Sequence, residues 1–245
     1  MDREAIDAQD ILEIVASNVL LPAYQRWSPR ETGYNIKDVR SCIFEGLFKC
    51  ISNYHTSLIP LSGLPITPLM NVSSEEVAHV FTNEYRSYYK WAYLNNVWML
   101  MEEFFRDIAG HLGIKERDIK KVVGKCFNAC TVRKRGKRLV EILRLIRNTM
   151  HYNGIHTSHW EDGRRMWKGK IVSFRSGKPV SGWVLHEDFL VVDMQKSLVD
   201  LIEDFFSCKE LRNEKFIERI YCPKPLSLLC SHKNAAGHSI QPTPF

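Results

Sequence analysis

Residues 143–154 read LRLIRNTMHYNG, and the last two turns of this apolar run carry two arginines, an asparagine and a histidine. An imidazole with an ordinary pKa of about 6.5 takes up or releases a proton at neutral pH. A guanidinium holds a permanent planar charge that matches a phosphate or a developing anion. Together these side chains are sufficient for proton transfer with charge stabilisation. They equally suit the wet face of a bundle helix, where cations near the C-terminus are favoured by about 0.3–1 kcal/mol each.

Helical geometry separates the two sides of this segment. Successive side chains advance about 100° around the axis. Leu139, Ile142, Leu143, Ile146 and Met150 then form one broad core face. Arg144, Asn148 and His151 fall within about 60° of each other on the opposite side. Glu141 lies one turn back along that strip, Arg147 sits at its edge one turn before His151, and Gly154 follows as a cap.

Several further helices must position this one. Residues 5–21 have helical periodicity through Ile11, Ile14, Val15 and Leu21, with Pro22 as the stop. A second helix is expected over about 36–54, striped by Val39, Ile43, Leu47 and Cys50. The segment LIPLSGLPITPL (58–69), with three prolines and a glycine, reads as an extended connector. Ser73 and Glu76 form a capping box before the longest helical pattern, which runs to about Leu112 and is closed by Gly113. A lysine-rich helix is expected over about 115–130, then a cationic turn, RKRGKR, then the motif helix from about 137 to 151. Beyond Gly154 the runs KIVSF and GWVL flank the turn signal RSGKP and predict a β-hairpin within about 160–186. Helix resumes over 190–207, with a short one over 210–221, and the proline-bearing remainder reads as a tail.

Composition narrows the classes. The chain has 245 residues, 44% of them hydrophobic, and a formal net charge of +6, a mild basic bias compatible with a nucleic-acid partner. No apolar run reaches the roughly 20 residues of a membrane span, and MDREAIDAQD is too acidic for a secretory signal, so the expected location is cytoplasmic. The seven cysteines are scattered and odd in number, which favours reduced thiols. Cys126 and Cys130 share a helix face without a second pair at matching spacing, and Cys222, Cys230, His232 and His238 match no usual zinc pattern. No metal and no cofactor are expected.

RNTMHYNG at the end of a helix in an all-α chain resembles the signature of the HEPN superfamily. The resemblance covers roughly residues 74–208. It implies an up-and-down four-helix bundle, here with extra N-terminal helices (1–70), a bundle over 71–221 carrying the hairpin, and a tail over 222–245. The match is divided: Arg147–Asn148 supplies the family's Arg-Asn pair, whereas Arg144 has the family's spacing to His151. Many members are metal-independent endoribonucleases of toxin–antitoxin and anti-phage systems, and others are inert interaction domains. The resemblance further implies a homodimer with two copies of the motif histidine in one site. It also implies an antitoxin or a nucleotidyltransferase as partner, the latter modifying a tyrosine near the motif such as Tyr152.

RNA suits this residue set because its 2′-OH is a built-in nucleophile. His151 is the candidate acid/base, Arg144 and Arg147 the charge stabilisers, and Asn148 the positioning group. His156 and His159, just past Gly154, are alternative acids within the chain, or plain loop histidines. Arg133, Lys134, Arg135, Lys137 and Arg138, with Arg164, Arg165 and Lys168, would attract the RNA backbone. Trp160 and Trp167 either stack unpaired bases or pack the hairpin onto the bundle. Two other readings use the same residues: an inert module binding protein or RNA through the polar strip, and a nucleic-acid-binding protein whose basic hairpin makes the contacts.

Overall fold

The computed structural model describes residues 10–27, 38–63, 75–150, 155–157, 163–180, 192–214 and 217–219, and these are mainly helical with one two-stranded sheet. Helix α1 is continuous over residues 10–27 and passes straight through Pro22. The proline does not stop it because the preceding turn widens into a π-helix, Ala16–Leu20, in which the Leu21 N–H reaches back five residues to the Ala16 carbonyl. That wider turn makes room for a ring that would crowd an ordinary α-turn, and Pro22 then sits at the start of the α-helical stretch Leu21–Trp27.

Helix α2 spans Val39–Gly63. Asp38 caps it: its buried carboxylate accepts from the Arg40 backbone N–H at 2.8 Å and from the Arg40 guanidinium at 3.0 and 2.7 Å. The expected stripe Val39, Ile43, Leu47 and Cys50 is buried throughout. The helix runs past its expected end and includes 58–63, so the first half of the expected connector is helical. Buried Leu58 anchors that turn in the core, and Ser57 Oγ donates to the Tyr54 carbonyl at 2.6 Å, which holds the backbone just ahead of Pro60.

Helix α3, Glu75–His111, is the longest and packs along α2. Leu112 and Gly113 close it as expected, with Ile114 N–H bonded to the Ala109 carbonyl and Gly113 N–H to Gly110. Ser73 of the expected capping box lies outside the described residues. Helix α4 spans Ile119–Ala129 and is capped by Asp118, whose side chain accepts from the Lys121 N–H at 3.0 Å.

Helix α5, the motif helix, spans Lys134–Met150. It begins earlier than expected, so most of RKRGKR is the first turn of a helix and only Arg133 precedes it. Gly136 is there for packing: a Cβ at this position would meet Leu201 Cδ1 at 2.4 Å and Leu201 Cγ at 3.3 Å. Gly136→Ala is therefore expected to destabilise the fold by about 1–3 kcal/mol through overpacking. Adding Leu201→Ala should make the double variant less destabilised than the two single costs predict. Urea midpoints of the four proteins test this.

Strands β1, Gly163–Trp167, and β2, Lys170–Phe174, pair antiparallel in the register Gly163↔Phe174 to Trp167↔Lys170. The hairpin thus forms around Lys168–Gly169, both at positive φ (46° and 79°), as a two-residue turn of this kind requires. KIVSF is the second strand rather than the first, and GWVL lies outside the described residues. RSGKP does turn the chain, but it leads into an isolated bridge between Ile155 and Pro179.

Helix α6 spans Met194–Phe206 and α7 is a single turn, Lys209–Arg212. The last stretch is shorter than expected because the chain instead runs extended at 217–219: Asp38 and Glu218 form a bridge, and Val39 N–H bonds to the Ile217 carbonyl at 2.9 Å.

One apolar cluster joins α1 to α6, the hairpin and Ile217. Its centre is aromatic, with Phe205 of α6 against Phe104 and Phe105 of α3 and Phe127 of α4. The described cysteines are free thiols, and burial pushes those of Cys50 and Cys126 up to about 12. Among the described residues no helix is long and apolar enough to cross a membrane.

Candidate functional site

The second half of α5 is covered more widely than its expected core face. Leu139, Val140, Ile142, Leu143, Leu145 and Ile146 are all buried, and so is Thr149, whose hydroxyl donates to the Ile146 carbonyl at 2.6 Å. What remains open is a narrow strip of Glu141, Arg144, Arg147 and Asn148, each partly covered. The expected grouping of Arg144, Arg147 and Asn148 is thus present in α5. None of the three side chains makes a hydrogen bond or ion pair with another described residue. His151 lies outside the described residues, as do Tyr152, Gly154, His159 and Trp160.

Arg144 opens into a groove between α4 and α5, a cavity of about 140 Å³ lined by Lys120, Val123, Gly124, Lys137, Val140, Glu141 and Arg144. Three cations and one carboxylate face this space, and the carboxylate is engaged elsewhere: Glu141 pairs with Arg165 of β1 at 2.9 Å. Lys137 and Arg144, which carry no ion pair to another described residue, therefore leave this space positively charged, which suits a bound phosphate. Lys120 belongs to the site but escaped the sequence reading, because its lysine-rich surroundings on α4 give no hint that α5 packs alongside.

The expected RNA-binding cations divide into two sets. Arg133 forms a bidentate pair with Asp204 of α6, which holds its guanidinium more firmly protonated than usual. Lys168 pairs with Asp193, and Arg165 with Glu141. These three fasten the hairpin and α6 to α5. Arg135 is exposed but engaged as well, its Cζ 5.5 Å from the centre of the Trp167 ring. Lys134, Lys137, Arg138 and Arg164 are likewise exposed, but unlike the first set they carry no ion pair or ring contact to another described residue.

Two expected candidates are displaced from solvent. Trp167 is buried beneath Arg135 and cannot stack on a base; it packs the hairpin onto the helices. His156 is fully buried, its ring 5.8 Å from Phe174 and its backbone bonded to Lys178 and Gly177. It is neither a surface loop histidine nor within reach of a substrate, because the 175–180 turn closes over it.

Comparison with family models, with curated proteins and with solved structures returned no match for the chain.

Proposed function

We propose that the chain is a metal-independent endoribonuclease of HEPN type that cleaves single-stranded RNA or tRNA loops, acting as a homodimer in growth arrest or anti-phage defence. One observation carries this reading. Arg144, Arg147 and Asn148 share a partly covered strip without side-chain ion-pair partners among the described residues, beside a groove that Lys137 also lines. Guanidinium groups at a protein groove are suited to bind phosphate, and His151 follows Arg147 by four residues in the sequence.

The reaction needs no metal. His151 takes the proton of the 2′-OH as the O2′–P bond forms, and the two arginines stabilise the charge on the phosphorane. The P–O5′ bond breaks, and the departing oxygen receives a proton from a second imidazolium, the copy of His151 from the partner subunit. The products are a 2′,3′-cyclic phosphate and a 5′-OH. Cleavage in the presence of EDTA, with these product ends identified, tests the proposal. Metal-dependent cleavage, or other ends, would refute it.

The engaged cations favour a second reading, an inert RNA-binding module in which the strip is only an interface. Both readings predict the same division of charges in binding. Lys137→Ala, Arg138→Ala and Arg164→Ala together are expected to flatten the salt dependence of single-stranded RNA affinity by about 2 units of log–log slope, about 0.7 per lost phosphate contact. Arg133→Ala with Lys168→Ala should leave the slope nearly unchanged, since those cations are already paired. Fluorescence anisotropy over a salt series reads both. A flattening confined to the Arg133/Lys168 variant would show that Lys137, Arg138 and Arg164 do not meet RNA.

A further inference from the structure

Away from the α5 strip, three potential metal ligands converge from distant parts of the chain. Cys130 closes α4, its N–H bonded to the Cys126 carbonyl at 3.0 Å. Cys208 precedes α7, and Glu210 lies within α7. The two sulfurs and a Glu210 carboxylate oxygen all lie within 4.8 Å of one another. Both cysteines are buried and their thiols are in hydrogen-bond contact, whereas Glu210 is exposed.

We infer that Cys130, Cys208 and Glu210 form a binding site for a thiophilic divalent cation, Zn²⁺ in particular, that ties the end of α4 to the α6–α7 junction. A tetrahedral zinc with Zn–S bonds of about 2.3 Å and a Zn–O bond of about 2.0 Å holds its sulfurs roughly 3.8 Å apart and sulfur and oxygen roughly 3.5 Å apart, so donors within 4.8 Å of one another need to close by about 1–1.3 Å at most. The two cysteines are the buried donors and Glu210 the exposed one, so water takes the fourth position from solvent. The charges also favour a dication. Two thiolates and one carboxylate are the donor chemistry that a thiophilic dication takes. Zinc replaces the two thiol protons, releasing both to solvent, and neutralises the resulting thiolates.

This inference is independent of the nuclease reading, since the ion takes no part in cleavage. EDTA would strip it, so the cleavage assay above is run where the metal-free chain keeps its helical circular dichroism.

The test uses the full-length reduced chain titrated with Co²⁺. A thiolate-to-cobalt charge-transfer band that Zn²⁺ bleaches is expected. Cys130→Ser and Cys208→Ser should each weaken Zn²⁺ binding by at least about 100-fold, since even outer-shell partners are worth 10- to 100-fold. Cys126→Ser, one turn away and outside the cluster, should leave the band in place. Where a serine variant fails to fold, Glu210→Gln on the exposed side decides: about tenfold weaker Zn²⁺ binding against a chromophoric chelator supports the site. Absence of the band in wild type, persistence of the band in both serine variants, or unchanged Zn²⁺ affinity in Glu210→Gln would each overturn the inference.

Discussion

His151→Ala is expected to lower RNA cleavage in EDTA by about 10²–10⁴-fold, the range set by loss of a positioned general acid/base. In a dimeric site the same substitution removes base and acid together, so the loss should fall at the upper end. Arg144→Ala and Arg147→Ala separate the two candidate charge stabilisers. Whichever guanidinium meets the phosphorane should cost about 10²–10³-fold, as removal of a preorganised oxyanion donor does elsewhere. Arg144 opens into the groove with Lys120 and Lys137, so we expect the larger loss there and a mainly binding defect at Arg147. Single-turnover cleavage of an end-labelled RNA gives the three numbers. Mixing wild-type and His151→Ala subunits adds a further reading. If each site uses both copies, activity falls below the fraction of wild-type subunits present; if each subunit acts alone, it equals that fraction. Cleavage that survives His151→Ala would remove the histidine from the mechanism and with it the nuclease proposal.

The polar strip was legible in the sequence because Arg144, Arg147 and Asn148 are related only by the turn of one helix. The same holds for the buried stripe Val39, Ile43, Leu47 and Cys50 of α2. What failed depended on contacts distant in sequence. Gly136 looked like a turn residue among cations, but its reason is Leu201 on another helix. Pro22 looked like a stop, and the widened turn that absorbs it leaves no signature in residue type. Hairpin pairing slipped because RSGKP is a stronger local turn signal than Lys168–Gly169, while the strands pair about the latter. At the site the same rule applies. No property of Arg133, Arg165 or Lys168 alone reveals that Asp204, Glu141 and Asp193 neutralise them. Nor does a lysine on α4 announce the groove that it lines. The charge of a basic segment is therefore readable from sequence, but its availability to a ligand is not.

The largest stability effect among single substitutions is expected at Phe205. Its ring is fully buried and meets Phe104, Phe105 and Phe127 at centroid distances of 5.7, 5.5 and 5.2 Å, each close to edge-on. Three helices, α3, α4 and α6, therefore share this one side chain. Phe205→Ala should cost about 3–5 kcal/mol, from lost apolar transfer and from a cavity that rigid neighbours cannot fill. For a chain of this size that lowers Tm by roughly 10 °C. Phe205→Leu keeps most of the volume but loses the edge-to-face geometry, worth about 0.5–1.5 kcal/mol per aromatic pair, and should fall between alanine and wild type. Phe48→Ala on the outer face of α2, where the ring is 40% exposed, should cost less than about 1 kcal/mol. Denaturant midpoints and thermal melts give the order directly. Equal costs at Phe205 and Phe48 would mean that the aromatic centre does not bind α3, α4 and α6 together. The groove between α4 and α5 would then lose its structural basis too, because α4 is held to the bundle largely through Phe127 and its buried neighbours Val122, Val123 and Cys126.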